Sequence, residues 1–203
     1  MNTFNDLNGV LIEGHIKISD PDTGDVIINK RNAIHYENMS ISLAESLGNN
    51  GSGFIYQMAF GNGGTSVDPT GIITYLTPNS TGTNASLYNQ TYAKIVDDRS
   101  ANNTDPFRNK IETRHVSGTN YTDVLVSCLL DYGEPSGQDA FDNSANTEGT
   151  FIFDELGLRS YDPDGNGRLL THVIFHPVQK SLNRLIQVDY TVRVQSLTGF
   201  NEE

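Results

Sequence analysis

Cysteine and tryptophan are nearly absent from this chain, whose 203 residues include one cysteine and no tryptophan beside nine tyrosines and nine phenylalanines. A single cysteine cannot form a disulfide bond within the chain, so no disulfide framework supports the fold. Cys128 lies in an alternating run, residues 122–130, in which Val124, Val126 and Leu130 share its face. We therefore predict that Cys128 is a small buried hydrophobic residue and not a catalytic nucleophile.

Basic residues are scarce as well. The chain has 13 lysines and arginines and 25 aspartates and glutamates, which gives a formal net charge of −12 at pH 7 and an isoelectric point near 4.7. Such a chain repels a phosphate backbone, so we expect no nucleic acid partner. The sequence also lacks an apolar run of the roughly 20 residues that a membrane helix needs, and residues 1–9 have no basic and apolar leader. We expect neither a membrane partner nor secretion through a signal peptide.

Alternating apolar and polar residues recur along most of the chain and predict antiparallel β-structure. Two hairpins stand out, one over residues 10–29 and one over residues 150–175 with its turn at 162–167. The cleanest alternation runs through residues 186–195, which indicates one buried and one solvated face. The sequence therefore predicts a mainly β fold, an antiparallel β-sandwich or open barrel with one short α-helix and long loops.

The one predicted helix lies within residues 32–47. Met39, Leu43 and Leu47 recur there at helical spacing, and Gly48 follows as a stop signal. We therefore predict a short helix with one apolar side.

The chain is expected to form a single domain over residues 10–195, because a chain of this length can close one hydrophobic core. Residues 1–9 and 196–203 are polar and are predicted to be a flexible N-terminal arm and a C-terminal tail. Long stretches rich in Gly, Asn, Thr, Ser and Asp, at 61–106 and 133–149, indicate surface loops that are suited to contacts with partners.

The turn at residues 162–167 has the pattern most similar to a metal site. Asp162, Asp164 and Asn166 occupy alternate positions of a calcium-loop pattern. The match then stops, because Val173 stands where the loop needs a bidentate glutamate. A hairpin turn built from Asp, Asn and Gly explains the segment without a metal, and calcium at these three residues is the alternative.

Two histidines four residues apart, His172 and His176, would form a metal-binding pair on a helix. Their segment has the pattern of a strand, which places their Cα atoms about 13 Å apart, too far for one ion. We predict that both are partly exposed strand residues. His15, His35 and His115 have no metal-ligand pattern around them and are expected to be hydrogen-bonded or solvent-facing.

Adjacent carboxylates occur at Asp97 with Asp98 and at Asp154 with Glu155, and such pairs could serve as the acid and base of a glycosidase. Adjacent residues on a strand point to opposite faces, so neither pair is expected to converge. The sequence contains no nucleophile elbow, zinc motif or phosphate loop beside them. We therefore predict no enzymatic activity and no cofactor.

Three short segments of the chain together form a further pattern. Residues 32–47 include the predicted helix, residues 58–65 read Met-Ala-Phe-Gly-Asn-Gly-Gly-Thr, and residues 153–158 read Phe-Asp-Glu-Leu-Gly-Leu before a Gly-rich turn and Leu169 with Leu170. Together they resemble virion structural proteins of tailed bacteriophages, especially the attachment domains of tail-collar and tail-fibre proteins. The chain departs from that pattern because it has no shaft repeats.

This resemblance implies a structural subunit of a tailed-phage particle, at the neck or collar, the baseplate or the fibre anchor, that acts through protein–protein assembly. It implies other virion proteins as partners, formation of a homo-oligomer, synthesis in the host cytoplasm and a final location in the virion. Two alternatives are open: a capsid decoration or cement protein, and a carbohydrate-binding β-sandwich module. The carbohydrate alternative is weakened by the absence of tryptophan, whose large flat ring stacks on sugars.

Overall fold

The structure is a computed structural model, which describes residues 9–135, 150–163, 165 and 167–197. Eleven strands and one helix form in this part of the chain. In chain order they are β1 (Gly9–Ser19), β2 (Val26–Ile34), α1 (Tyr36–Leu47), β3 (Ile55–Gly61), β4 (Thr65–Val67), β5 (Ile73–Tyr75), β6 (Gln90–Ile95), β7 (Lys110–His115), β8 (Tyr121–Leu130), β9 (Thr150–Ser160), β10 (Thr171–Ser181) and β11 (Ile186–Leu197).

Nine of these strands form one antiparallel sheet in the order β6-β3-β9-β10-β2-β1-β11-β8-β7. The sheet curls into a half-barrel, so the predicted mainly β fold with one helix is confirmed in its open-barrel form. The other two strands, β4 and β5, pair with each other as a small hairpin. Strands that are distant in sequence lie side by side, as β3 does with β9 and β2 with β10.

One main hydrophobic core is enclosed by the curled sheet. Ile16, Phe153 and Tyr190 come from three different strands, and each is at most 1% exposed. The ring of Phe153 makes edge-to-face contacts, with its centroid 5.4 Å from that of Phe60 and 5.8 Å from that of Phe175. Such aromatic pairs stabilise a core beyond the area that they bury.

Polar side chains link the edge strand β6 to the end of β8 and to the chain before the other edge strand, β7. Lys94 on β6 is buried, donates a hydrogen bond from Nζ to the Leu129 carbonyl oxygen at 2.7 Å, and pairs with Glu134. Asn109 accepts the Leu129 N–H at Oδ1, 2.8 Å away, and its carbonyl oxygen accepts a bond from Asn103 Nδ2 at 2.8 Å. These bonds satisfy buried polar groups where the sheet does not close on itself.

The first predicted hairpin is confirmed, with a longer second strand than the pattern indicated. In its turn, Asp20 Oδ1 accepts the Asp22 N–H at 3.0 Å, and Gly24 adopts a φ of 79° that favours glycine. Strand β2 continues to Ile34, which lies opposite Thr171 on β10. This long-range pairing extends the strand into residues that the local pattern assigned to the helix.

Helix α1 starts at Tyr36 and is followed by Gly48, the predicted stop. The cap residue His35 accepts a backbone N–H of the first turn at Nδ1. Met39 is 7% exposed and faces the core, whereas Leu47 is 88% exposed. The apolar side of the helix is therefore used only over its first turns.

Cys128 is fully buried among the core side chains. The prediction of a small buried hydrophobic residue is confirmed. Burial raises the pKa of the Cys128 thiol to about 12, so almost no nucleophilic thiolate forms near neutral pH.

We expect the Cys128 thiol to be inert to Ellman's reagent in the native protein at about pH 8 and to react fully in denaturant. Labelling of the native chain should then proceed only through transient opening of the fold. A Val116→Cys variant is the positive control, because Val116 is 51% exposed, and its thiol should react at once. Fast reaction of one thiol in the native wild-type chain would contradict the burial.

Strands β1 and β11 extend into the stretches that were predicted as the N-terminal arm and the C-terminal tail. Gly9 lies opposite Leu197, so both belong to the pair formed by β1 and β11, while residues 1–8 and 198–203 lie outside the described residues. Most of the predicted loop at 133–149 also lies outside them. Within the part of the chain that the structure describes, there is no helix with the length and apolar character needed to cross a membrane.

Candidate functional site: a carboxylate clamp on a glycine-rich turn

Two of the three segments that carry the resemblance meet in the sheet. Strand β9 contains Asp154 and Glu155 and pairs with β3, with Leu156 opposite Phe60 and Glu155 opposite Gly61. Gly61 ends β3 and begins the glycine-rich turn. The pairing therefore places two carboxylates beside that turn.

The alternation of β9 shifts by one residue at the acidic pair. Phe153 and Leu156 both face the main core, although residues three apart on a regular strand face opposite sides. Asp154 and Glu155 both approach the turn: a Cβ at Gly64 would lie 3.1 Å from Asp154 Oδ1 and 3.1 Å from the Cβ of Glu155. The prediction that these two side chains diverge is wrong, because the shift replaces the regular pleat.

Glu155 accepts four hydrogen bonds in a fully buried position. Its Oε1 accepts the backbone N–H groups of Gly63 at 3.1 Å and Asn89 at 2.8 Å. Its Oε2 accepts the Tyr88 N–H at 2.9 Å and His172 Nε2 at 2.9 Å. The four donors match the acceptor capacity of an ionised carboxylate, so Glu155 joins two separate stretches of chain to the sheet.

Asp154 completes what we call the carboxylate clamp, the pair Asp154 and Glu155. Its Oδ1 accepts the Gly64 N–H at 2.8 Å, and its Oδ2 accepts the Thr65 N–H at 2.8 Å. The Thr65 hydroxyl also donates to Oδ2. Asp154 is 3% exposed and Glu155 is 0% exposed, so the clamp binds the protein's own backbone and neither carboxylate is open to a substrate.

Histidine 172 belongs to the same network. The Asn79 N–H donates to its Nδ1 at 2.8 Å, which leaves the ring proton on Nε2 to be donated to Glu155. His172 is fully buried, so its predicted partial exposure is wrong, whereas His176 is exposed as predicted. His172 is buried because the segment between β3 and β6 covers this part of β10.

The two carboxylates of the clamp have opposite pKa shifts. Burial would raise the pKa of Glu155, but the bonds from His172 and from three backbone N–H groups outweigh it and keep that pKa below its usual value. Burial raises the pKa of Asp154 despite its bonds from Thr65 and Gly64, and the nearby charge of Glu155 adds to the increase. Glu155 is therefore the member of the pair that carries the more stable negative charge.

The clamped chain, residues 62–89, is called the strap. Its Leu87 is 5% exposed and packs with Ala59 and Leu169 in a small second hydrophobic cluster on the side of the sheet opposite the main core. Glycines allow the close approach: a Cβ at Gly63 would lie 2.8 Å from the Asn89 nitrogen. The strap is thus a second layer on β3, β9 and β10.

Two more side chains tie the strap to the sheet and the helix. His35 is buried, with its Nε2 2.9 Å from the Gly82 carbonyl oxygen, which confirms the expectation of a hydrogen-bonded histidine. Arg159 is buried and donates from Nη2 to the Ser86 hydroxyl at 2.5 Å. With the clamp and His172, these bonds distribute anchors along the length of the strap.

The β4–β5 hairpin forms the part of the strap that extends from the clamp. In its turn, Asp68 Oδ1 accepts the N–H groups of Thr70 at 2.8 Å and Ile72 at 3.0 Å. Val67 and Ile72 are 62% and 63% exposed. The hairpin therefore has a defined conformation and presents apolar side chains to the outside.

The structure describes only some of the other residues that the sequence suggested as metal or acid–base sites. Asp162 lies within the described residues, whereas Asp164 and Asn166 lie outside them, so calcium at this turn stays the alternative to a metal-free hairpin turn. No three His, Cys, Asp or Glu side chains converge as a metal site among the residues described. Asp97 is buried and Asp98 is exposed, which matches the expectation that this pair diverges.

No protein-family model, no curated protein and no solved structure matches this chain. Its function therefore has to be argued from the site and the surface.

Sequence reasoning noted the acidic pair, the glycine-rich turn and His172 separately and missed that they form one network. A usable signal is present in β9, where two charged residues interrupt the apolar run Phe-Ile-Phe-Asp-Glu-Leu-Gly-Leu. Charged groups inside a core strand need partners. A turn with several free backbone N–H groups elsewhere in the chain could supply them.

Proposed function

We propose that this chain is a structural subunit of a tailed-phage particle, at the neck or collar, the baseplate or the fibre anchor, and that it acts through protein–protein assembly. One observation carries the proposal. Two of the three segments that carry the resemblance to tail-collar and tail-fibre attachment domains, residues 58–65 and 153–158, form one interlocked unit through the clamp. Their joint presence in the sequence therefore has a physical basis, because each segment needs the other.

The exposed surface of the strap supports an assembly role. Val67, Ile72, Tyr75 and Leu76 are between 40% and 63% exposed and lie together on and beside the β4–β5 hairpin. Exposed apolar side chains on a hydrogen-bonded hairpin are suited to protein contacts, since a preformed surface loses little conformational entropy on binding. We propose that this hairpin contacts a neighbouring virion subunit, and that the subunit repeats as a homo-oligomer.

The proposal predicts where the protein is found. Antibodies raised against the purified chain should label one end or the tail of negatively stained particles from the virus that encodes it. Labelling spread over the capsid shell would replace this proposal with a decoration or cement role. Purified particles that contain none of the chain by mass spectrometry would contradict both roles.

A pair of variants tests the proposed contact surface. Val67→Asp places a charge on the hairpin and should reduce incorporation of the chain into particles at least tenfold, because an unpaired charge is costly in an apolar interface. Val116→Asp is the matched control, on the exposed turn after β7, and should incorporate normally. Both chains should melt like the wild type, and equal incorporation would exclude the hairpin as the contact.

A further inference from the structure

An apolar cavity of about 220 Å³ lies between helix α1 and the inner faces of β7, β8 and β11. The helix contributes Met39 and Leu43 to its wall, and the strands contribute mainly aliphatic side chains, which are Ile111, Val124, Val192 and Val194. An engineered dry cavity of about 150 Å³ in another protein binds benzene. The cavity is therefore large enough for a small organic molecule.

Ser42 puts an unpaired hydroxyl into this apolar wall. The residue lies on α1, is 2% exposed and lines the cavity. Among the described residues, its Oγ has no hydrogen-bond partner, although a serine inside a helix commonly bonds back to the preceding turn. A buried hydroxyl without a partner is unfavourable for the fold, so a ligand oxygen at this position would remove that cost.

Arg99 lies at the mouth of the cavity, with its side chain 74% exposed. Its Nε donates to Asp97 Oδ1 at 3.0 Å, and its guanidinium lies 5.6 Å from the centre of the Phe54 ring. No described residue accepts a hydrogen bond from its two Nη groups. A positioned guanidinium with free donors is suited to an anionic oxygen acceptor.

We propose that this cavity binds a small carboxylic acid with an apolar body. The apolar body fills the space under α1, and oxygen atoms of the ligand accept hydrogen bonds from Ser42 and Arg99. The benzene-binding cavity of about 150 Å³ provides about 25 Å³ for each of six non-hydrogen atoms, so about 220 Å³ corresponds to a ligand of the size of hexanoate. This binding is independent of the proposed assembly role.

The test is an NMR titration of the full chain with hexanoate, hexanol and hexylamine, which share one apolar body. Hexanoate should bind with a Kd of about 0.1–1 mM and shift the signals of residues around α1, β8 and β11. Hexanol should bind about fivefold more weakly, because it lacks the charge, and hexylamine should bind more weakly still. The assignment is overturned if hexanoate causes no shifts, or if hexylamine binds as well as hexanoate does.

Four variants separate the contributions of Ser42, Arg99 and the cavity volume to hexanoate binding. Ser42→Ala should weaken hexanoate binding about fivefold without lowering the melting temperature, since it removes the unpaired hydroxyl. Arg99→Gln should weaken hexanoate binding about fivefold and leave hexanol binding unchanged. The control Arg114→Gln, on the exposed edge strand β7, should change the affinity for neither ligand. Val124→Phe fills the cavity and should abolish binding. If that variant does not fold, the Ser42 and Arg99 results decide, and unchanged hexanoate affinity in both rejects the site.

Discussion

Replacing Glu155 with glutamine is expected to lower the free energy of unfolding by about 3 kcal/mol. The carboxylate accepts four hydrogen bonds in a fully buried site. The amide keeps one acceptor oxygen and turns an NH₂ group toward N–H donors, so two donors lose their partner and oppose another donor. Urea unfolding should show the loss, and hydrogen exchange should show that the amides of Gly63, Tyr88 and Asn89 lose protection first.

The control for this variant is Glu112→Gln on the edge strand β7. Glu112 accepts a hydrogen bond from Lys110 Nζ at 2.7 Å, and its side chain is 52% exposed, so the change should leave the free energy of unfolding almost unchanged. An equal loss of unfolding free energy in both variants would show that the hydrogen bonds to Glu155 contribute no more than an exposed ion pair does.

The effect of Glu155→Gln should depend on pH in a defined direction. The pKa of Glu155 is lower in the folded chain than the ordinary value of 4.5, so the unfolded chain takes up this proton first on acidification. The stabilisation by Glu155 is therefore complete above about pH 4.5 and is lost as the pH falls through the folded pKa. The stability difference between wild type and variant should be constant near neutral pH and should narrow in acid.

Replacing Gly157 with alanine is expected to cost about 3 kcal/mol, at the upper end for an overpacked core. A Cβ at this position would lie 2.3 Å from the Thr171 carbonyl oxygen and 2.6 Å from Leu169 Cδ1. The carbonyl oxygen belongs to the backbone of β10 and cannot move without disturbing its pairing. Thermal unfolding should show a melting temperature lower by about 10 °C.

Gly9→Ala supplies the matched control for Gly157→Ala. Gly9 is also a strand glycine, and its nearest contact for a Cβ is Leu197 Cδ1 at an ordinary 3.6 Å. The control should be neutral or slightly stabilising, because alanine reduces the freedom of the unfolded chain. If both variants unfold alike, close packing at Gly157 is not the reason for glycine there.

The hairpin turn at Gly24, the end of α1 before Gly48 and the buried Cys128 were all predictable from the sequence. Each depends on a local property: a φ that favours glycine, a stop signal, or the period of a strand. These features depend on residues close together in the chain.

The clamp could not be predicted by the same means. A regular pleat separates Asp154 from Glu155, but the alternation of β9 shifts there and both side chains approach the strap. The exposure of His172 was wrong for a related reason, since its strand pattern cannot show that the strap covers β10. The cavity beneath α1 likewise depends on how one helix lies across three distant strands.

The sequence by itself determined the class of the fold, because strand period, turn residues and the shortage of helical pattern are local and repeat along the chain. It also determined the acidic character and the glycine-rich and acidic segments that carry the resemblance. Only the tertiary structure decided that these segments bind each other, which residues fill the core, and where an apolar space remains. Those features arise from pairing between strands far apart in sequence, where packing and buried hydrogen bonds override the local preference of each residue.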